Sequence, residues 1–175
     1  MPQLKHKFLL PIALLILSAS AFSQRSTPKL ALESFYKFDR SHSQVFNRRN
    51  IEERKAWLSP ELYSLFKNEL RREADFLKQN PTDKPFFGDG LPFRPYDELC
   101  DGPKKSGRSL TIGLKFQKAR RAAATATFAY PRSCKTADTI VYTISLIKVN
   151  SKWVIDDIDF DKDTRLKHSL NRPEY

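Results

Sequence analysis

Three observations in the sequence predict an α+β fold. Between Thr27 and Leu77 apolar residues recur every three or four positions, the period of helices buried on one side. From Leu110 onward they recur at every second position or run as β-branched stretches, the habit of strands. The change occurs once, so helices come first and a meandering antiparallel sheet of about four strands follows, with the helices on one face. The clearest pattern is the stretch Ile140–Phe160, two β-rich runs around the polar turn Asn150-Ser151-Lys152, which predicts a hairpin. The 175 residues suffice for one real core.

Residues 1–23 have the pattern of a secretory signal peptide. Lys5 and Lys7 precede the apolar run FLLPIALLIL, and small residues follow from Ser18 to Ser23. The run is short for a membrane span, although an uncleaved anchor is the alternative. Cleavage near Ala21 or Ser23 leaves residues 24–175 as one exported α+β domain, periplasmic or secreted. With no cysteine near the cleavage zone, a lipoprotein is not expected. In an oxidising compartment Cys100 and Cys134 are expected to form a disulfide. The loop of roughly 34 residues would add about 3–4 kcal/mol of stability by restricting the unfolded chain.

Taking the elements in order, Thr27-Pro28 starts a first helix, with Thr as N-cap and Pro in the first turn. Its stripe is Leu32, Phe35, Tyr36, Phe38, His42, Val45 and Phe46, and it ends or kinks near Arg48–Asn50. A short second helix covers Ile51–Leu58, with Trp57 and Leu58 inward. Ser59-Pro60-Glu61 is a cap, a first-turn proline and a first-turn acid. The helix it opens carries Leu62, Leu65, Phe66, Leu70, Phe76 and Leu77 on one face and stops at Asn80-Pro81.

Residues 81–107 are rich in proline and glycine but carry Phe86, Phe87, Phe93 and Tyr96. A structured loop packed by its own side chains is expected, with a short strand near Tyr96–Leu99. Leu110, Ile112, Leu114 and Phe116 alternate with polar or small residues, giving a strand. Arg120-Arg121 marks a turn. Alanines favour helix in 122–130, but Thr125, Thr127, Phe128 and Tyr130, and a position between two strands, favour strand. In the last strand Trp153, Ile155 and Asp157 are expected on one face, with Val154, Asp156, Ile158 and Phe160 on the other. Asp163-Thr164 caps a short C-terminal helix or tail bearing Leu166 and Leu170.

Phe35-Tyr36, Leu58-Ser59-Pro60-Glu61-Leu62 and Trp153-Val154-Ile155-Asp156-Asp157-Ile158, in that order, resemble an uncharacterised bacterial envelope family of the nuclear-transport-factor-2-like (cystatin-like) superfamily. The resemblance spans roughly Leu30 to Phe160. It implies a curled sheet wrapped against helices as a cone with one open pocket. Relatives use such a pocket for isomerase, cyclase or dehydratase chemistry, or for ligand binding, so fold alone does not imply function.

Asp157 is the candidate general base, if buried beside Trp153 and Ile155. The competing reading is a carboxylate bonded to backbone or arginine. Tyr36, Trp57, Tyr63, Tyr142 and Trp153 are candidates to line an apolar ligand pocket, or simply to fill the core. Asp157, Asp159, Asp161 and Asp163 open like a calcium loop, but Lys162 replaces the turn glycine and His168 the bidentate glutamate, so no metal is expected. Cys100 and Cys134 lack the histidines of a zinc site. No phosphate loop, nucleophile elbow, zinc-protease or dinucleotide motif occurs, so no cofactor is expected.

The net charge of +11 falls by two with Lys5 and Lys7. No basic run is interleaved with aromatics, so a nucleic-acid partner is not expected. A solvated surface or an anionic envelope or protein partner accounts for it instead. Three functions follow from these features. The first is an exported, non-enzymatic domain binding a small ligand or an envelope or protein partner. The second is an isomerase- or cyclase-type enzyme using Asp157, with Tyr36 or Tyr142 as donor. The third is an inhibitor or immunity-type protein acting through a basic face.

Overall fold

The structure, a computed structural model, describes residues 27–95, 108–130 and 139–173. The expected signal peptide, the strand expected near Tyr96–Leu99 and both cysteines, Cys100 and Cys134, lie outside the described residues. The chain is α+β: helices α1 (Pro28–Arg40), α2 (Arg48–Arg54) and α3 (Pro60–Gln79) come first. Strands β1 (Ser109–Gln117), β2 (Arg121–Ala129), β3 (Thr139–Val149) and β4 (Lys152–Asp159) follow, then the short α4 (Leu166–Leu170). The strands form one antiparallel sheet in the order β1-β2-β3-β4. Among the described residues the sheet is open.

The two long helices begin where the caps place them. Thr27 accepts the N–H of Leu30 at 3.2 Å, and Ser59 that of Leu62 at 3.1 Å, each followed by proline at the first helical position. Helix α1 is shorter than its sequence stripe predicts. It stops at Arg40 because side chains take over its last carbonyls. Ser41 Oγ and His42 Nδ1 each donate to the Phe38 carbonyl at 2.8 Å, and Gln44 Nε2 donates to that of Asp39 at 2.9 Å. His42, Val45 and Phe46 therefore sit in a loop over 41–47, not on the helix. The second helix likewise starts earlier than expected, capped by Asn47, and tightens into a 3₁₀ turn over Lys55–Trp57. On α3 the buried stripe is Leu62, Phe66, Glu69 and Glu73. Leu77, expected on the same face, is exposed.

One face of the sheet makes the core. Register places Leu110, Ile112 and Leu114 beside Phe128, Ala126 and Ala124, and those beside Ile140, Tyr142 and Ile144. The fully buried Ala122, Ala124 and Ala126 let α1 press close over β1 and β2. Leu32, Phe35, Tyr36, Leu62 and Phe66 come down from the helices, and Phe93 of the 81–95 loop reaches the centre. Each such side chain contributes about 1.5–3 kcal/mol by leaving water.

The β4 alternation read from the sequence needs correcting. Leu146 pairs with Ile155 but Ser145 with Asp157, so Asp156 is an extra, bulged residue. The bulge turns Ile158 and Phe160 to the core face with Trp153 and Ile155, and leaves Val154 and Asp157 on the outer face. It also brings the carboxylates of the adjacent Asp156 and Asp157 onto one residue, Lys167. Asp156 meets its ammonium at 3.0 Å and Asp157 accepts its backbone N–H at 2.9 Å. A second bulge lies at Lys115 in β1, between the pairs Leu114–Ala124 and Phe116–Ala123. The hairpin turn is two residues, Asn150 and Ser151, with φ of 47° and 67°, and Lys152 already belongs to β4. Beyond β4 the sheet edge is covered: Leu58 bridges Ile155, and the Ser59 N–H donates to the Ile155 carbonyl at 2.7 Å.

Candidate functional site

The aromatic residues expected around a pocket divide between three places. Tyr36, Trp57 and Tyr142 belong to one continuous set of rings on the core face. Tyr36 lies against Phe35 at 5.1 Å and Phe128 at 5.6 Å; Phe128 touches Tyr142 at 5.3 Å, and Tyr142 touches Phe160 at 5.0 Å. Trp57 joins through Phe35, at 6.2 Å between centroids. The Tyr36 hydroxyl donates to the Phe93 carbonyl at 3.0 Å. Burial, then the charge of Asp39, holds its pKa well above the usual phenol value. These rings pack against one another on the core face of the sheet.

Tyr142 also borders a cleft of about 370 Å³ with Gln44, Gly90, Leu91 and Arg94. Burial pushes its hydroxyl up to about 12. Trp153 of β4 is buried, with the Lys148 ammonium 5.7 Å from its ring centroid. Tyr63 is half-buried on the helical side, packed against the edge of the core. Its hydroxyl donates to Glu52, and Lys55 and Lys67 lie 5.0 and 5.1 Å from its ring. The hydrogen bond to Glu52 is the main reason its pKa is raised.

Asp157 lies on the outer face of the sheet, opposite Tyr36 and Tyr142. Its Oδ1 accepts two backbone N–H groups, of Ile158 and Lys167, both at 2.9 Å, and Arg165 Nε is 3.6 Å from Oδ2. The structure therefore does not bring the candidate base and the candidate donors to one point. Burial raises the Asp157 pKa, and the two backbone N–H bonds oppose the rise.

On that outer face lies a larger cleft, about 660 Å³, within the range of small-ligand sites. Its floor is Val141 and Thr143 of β3, crossed by Lys115 of β1. The Lys115 bulge and the small β2 residues let its ammonium reach Thr143 Oγ1 at 3.1 Å. The far wall is the turn after β4 and the start of α4. Asp161 Oδ1 holds that turn by accepting the N–H groups of Asp163 and Thr164, at 2.8 and 2.7 Å. Arg165 is fixed across it by Asp159, at 2.7 Å. His168 completes the wall. Among the described residues Lys115 has no carboxylate within 4 Å, and no group of His, Cys, Asp and Glu has the arrangement to hold a metal ion. A preset Arg, an uncompensated Lys, a hydroxyl and an imidazole can hold a small polar ligand.

Charges buried in the core escaped the sequence reading. Asp39 and Arg54 are fully buried, 2.7 Å apart, and Arg94 Nε lies 3.3 Å from the other Asp39 oxygen. Glu69 on α3 is fully buried between Arg72 and Arg172. Their signal in the sequence was a charged residue at a stripe position: Asp39 follows Leu32, Phe35 and Tyr36, and Glu69 follows Leu62 and Phe66.

No family model matches the chain, and no curated protein and no solved structure matches it either. No helix among the described residues is long and apolar enough to cross a membrane.

Proposed function

We propose that the chain is an exported, non-enzymatic envelope domain that holds a small ligand, or a side chain of a partner, in the cleft on the outer face of its sheet. The observation that carries this reading is the division of labour between the two faces. Touching rings take up most of the core face and leave the smaller cleft beside Tyr142, while the outer face has the larger cleft, with fixed polar groups. The groups that line it favour a polar ligand over an apolar one. The enzyme alternative, with Asp157 as base, has less support, because that carboxylate is committed to two backbone N–H groups and lies away from Tyr36 and Tyr142. The cone of the nuclear-transport-factor-2-like superfamily belongs to the same proposal. Helices before a four-strand meander, and bulges that bend β1 and β4, support it.

A thermal-shift screen of small carboxylates, phosphates and sugars tests the cleft. A ligand that raises the melting temperature of the wild type should lose that effect in Lys115→Ala and Thr143→Val. A shift that survives both substitutions places the ligand elsewhere and overturns the assignment.

A further inference from the structure

The sheet carries an unbalanced charge at one end. Residues 108–130 and 139–155 contain no Asp or Glu; the first acid after Arg108 in the described sheet is Asp156. The register gathers the cations of these segments. The β1–β2 turn and the β3–β4 turn emerge side by side, tied by the Lys148 N–H to the Arg120 carbonyl at 3.0 Å. Lys118, Arg120 and Arg121 on one tip thus meet Lys148 and Lys152 on the other. All five are exposed, and among the described residues none has a carboxylate within 4 Å. Five like charges on neighbouring strand ends repel one another, since strands lie only about 4.8 Å apart. An anionic surface would relieve that repulsion.

Two apolar side chains stand beside these cations. Leu114 and Phe116, on the last turns of β1 before the tip, are 47% and 49% exposed. The Lys115 bulge sends them to opposite faces of the strand, so the tip is apolar on both sides. Cations around a protruding ring and an alkyl chain suit a bilayer interface, where charge meets headgroups and apolar groups reach the acyl boundary. A nucleic acid would want a series of stacking rings along a basic groove.

The geometry points to the paired hairpin tips, Lys118, Arg120, Arg121, Lys148 and Lys152 with Phe116, as a docking surface for a membrane rich in anionic phospholipid. The site is separate from the cleft, which opens on the outer face, and its test does not depend on a cleft ligand.

Vesicle sedimentation of the full chain tests this, with vesicles of phosphatidylcholine alone or with a one-third share of phosphatidylglycerol. Any contribution of the apolar N-terminal run is common to every variant, so differences between variants report the tips. The wild type should partition more strongly onto the anionic vesicles, the more so at low salt. Replacing the five tip cations with glutamine should lower that partition on the order of 1,000-fold or more. A control with five exposed cations replaced elsewhere, at Lys29, Lys37, Arg49, Lys78 and Lys162, has the same net charge and should lose far less. Phe116→Ser should weaken anionic-vesicle binding several-fold without changing its salt dependence. Equal losses in the tip variant and the control would mean that net charge alone acts, and would overturn the site. Unchanged vesicle binding in Phe116→Ser, with heparin displacing the protein completely, would make the tips a general polyanion site and overturn the membrane assignment.

Discussion

Asp39 Oδ1 receives Arg54 Nε at 2.7 Å with both side chains fully out of water. The same guanidinium donates to the carbonyls of Asn50 and Ser43, so it joins α1, α2 and the loop between them. Buried pairs of this kind contribute little net stability, but losing one partner strands the other charge.

Asp39→Asn should therefore destabilise the fold by about 3–5 kcal/mol. Replacing both residues by leucine should cost less than the sum of the two single leucine variants. Urea melts of the four proteins decide it, and simple additivity would mean that the pair is not coupled.

Asp157 gives a pH signature. A carboxyl whose folded pKa is raised adds stability below the ordinary aspartate range and loses it as pH rises through the folded value. Asp157→Asn keeps Oδ1 as acceptor for Ile158 and Lys167 and cannot ionise. Its stability relative to wild type should therefore improve from about pH 4 upward and then level off. Melts across that range check this; a pH-independent difference would remove the argument.

Ser59 is fully buried, caps the twenty-residue α3 and donates its own N–H to β4. Ser59→Ala should cost about 1–2 kcal/mol, and the exposed cap Thr27→Ala about 0.5–1 kcal/mol. Equal losses in denaturant melts would contradict a role for burial.

Asn150 and Ser151 both hold positive φ, as a tight primed hairpin turn requires. Serine is strained there and glycine is not, so Ser151→Gly should stabilise the protein by about 0.5–1 kcal/mol. A lowered melting temperature would show that the turn is not formed this way.

For export, the expected Cys100–Cys134 bridge is the covalent test. Non-reducing peptide mapping of the exported protein should recover the two peptides linked, and two free thiols would refute the pairing.

How much of this was legible in the sequence follows from the range of the interactions. The starts of α1 and α3 were readable because a cap and a proline are neighbours in the chain. Strands β1 and β4 were readable from alternation, β3 from its β-branched run, and β2 only from its threonines and aromatics and its place between two strands. The end of α1 was not, because Ser41, His42 and Gln44 compete for carbonyls in a way that periodicity does not register. The faces of Ile158 and Asp157 were not, because one bulged residue reverses every later side chain. Of the aromatic candidates, Tyr36 and Trp153 are buried in the core and Trp57, Tyr63 and Tyr142 pack partly buried against it, while the carboxylate Asp157 lies on the outer face of the sheet. Lys115 and Thr143, 28 positions apart, became neighbours only through the pairing of three strands.

The bulge at Lys115 bears on how the protein behaves at high concentration. Strand β1 has one hydrogen-bonded neighbour among the described strands, whereas the far edge is covered by Leu58 and Ser59. A nine-residue edge with leucine, isoleucine and phenylalanine is a template onto which another copy can add a strand, the first step toward cross-β assembly. The unpaired residue breaks the ladder, and its lysine would bring like charges together in any symmetric edge-to-edge pairing. Deleting Lys115 would straighten that edge and remove its charge together, so a change at the residue that shapes the cleft should also favour edge-to-edge addition of copies of the chain.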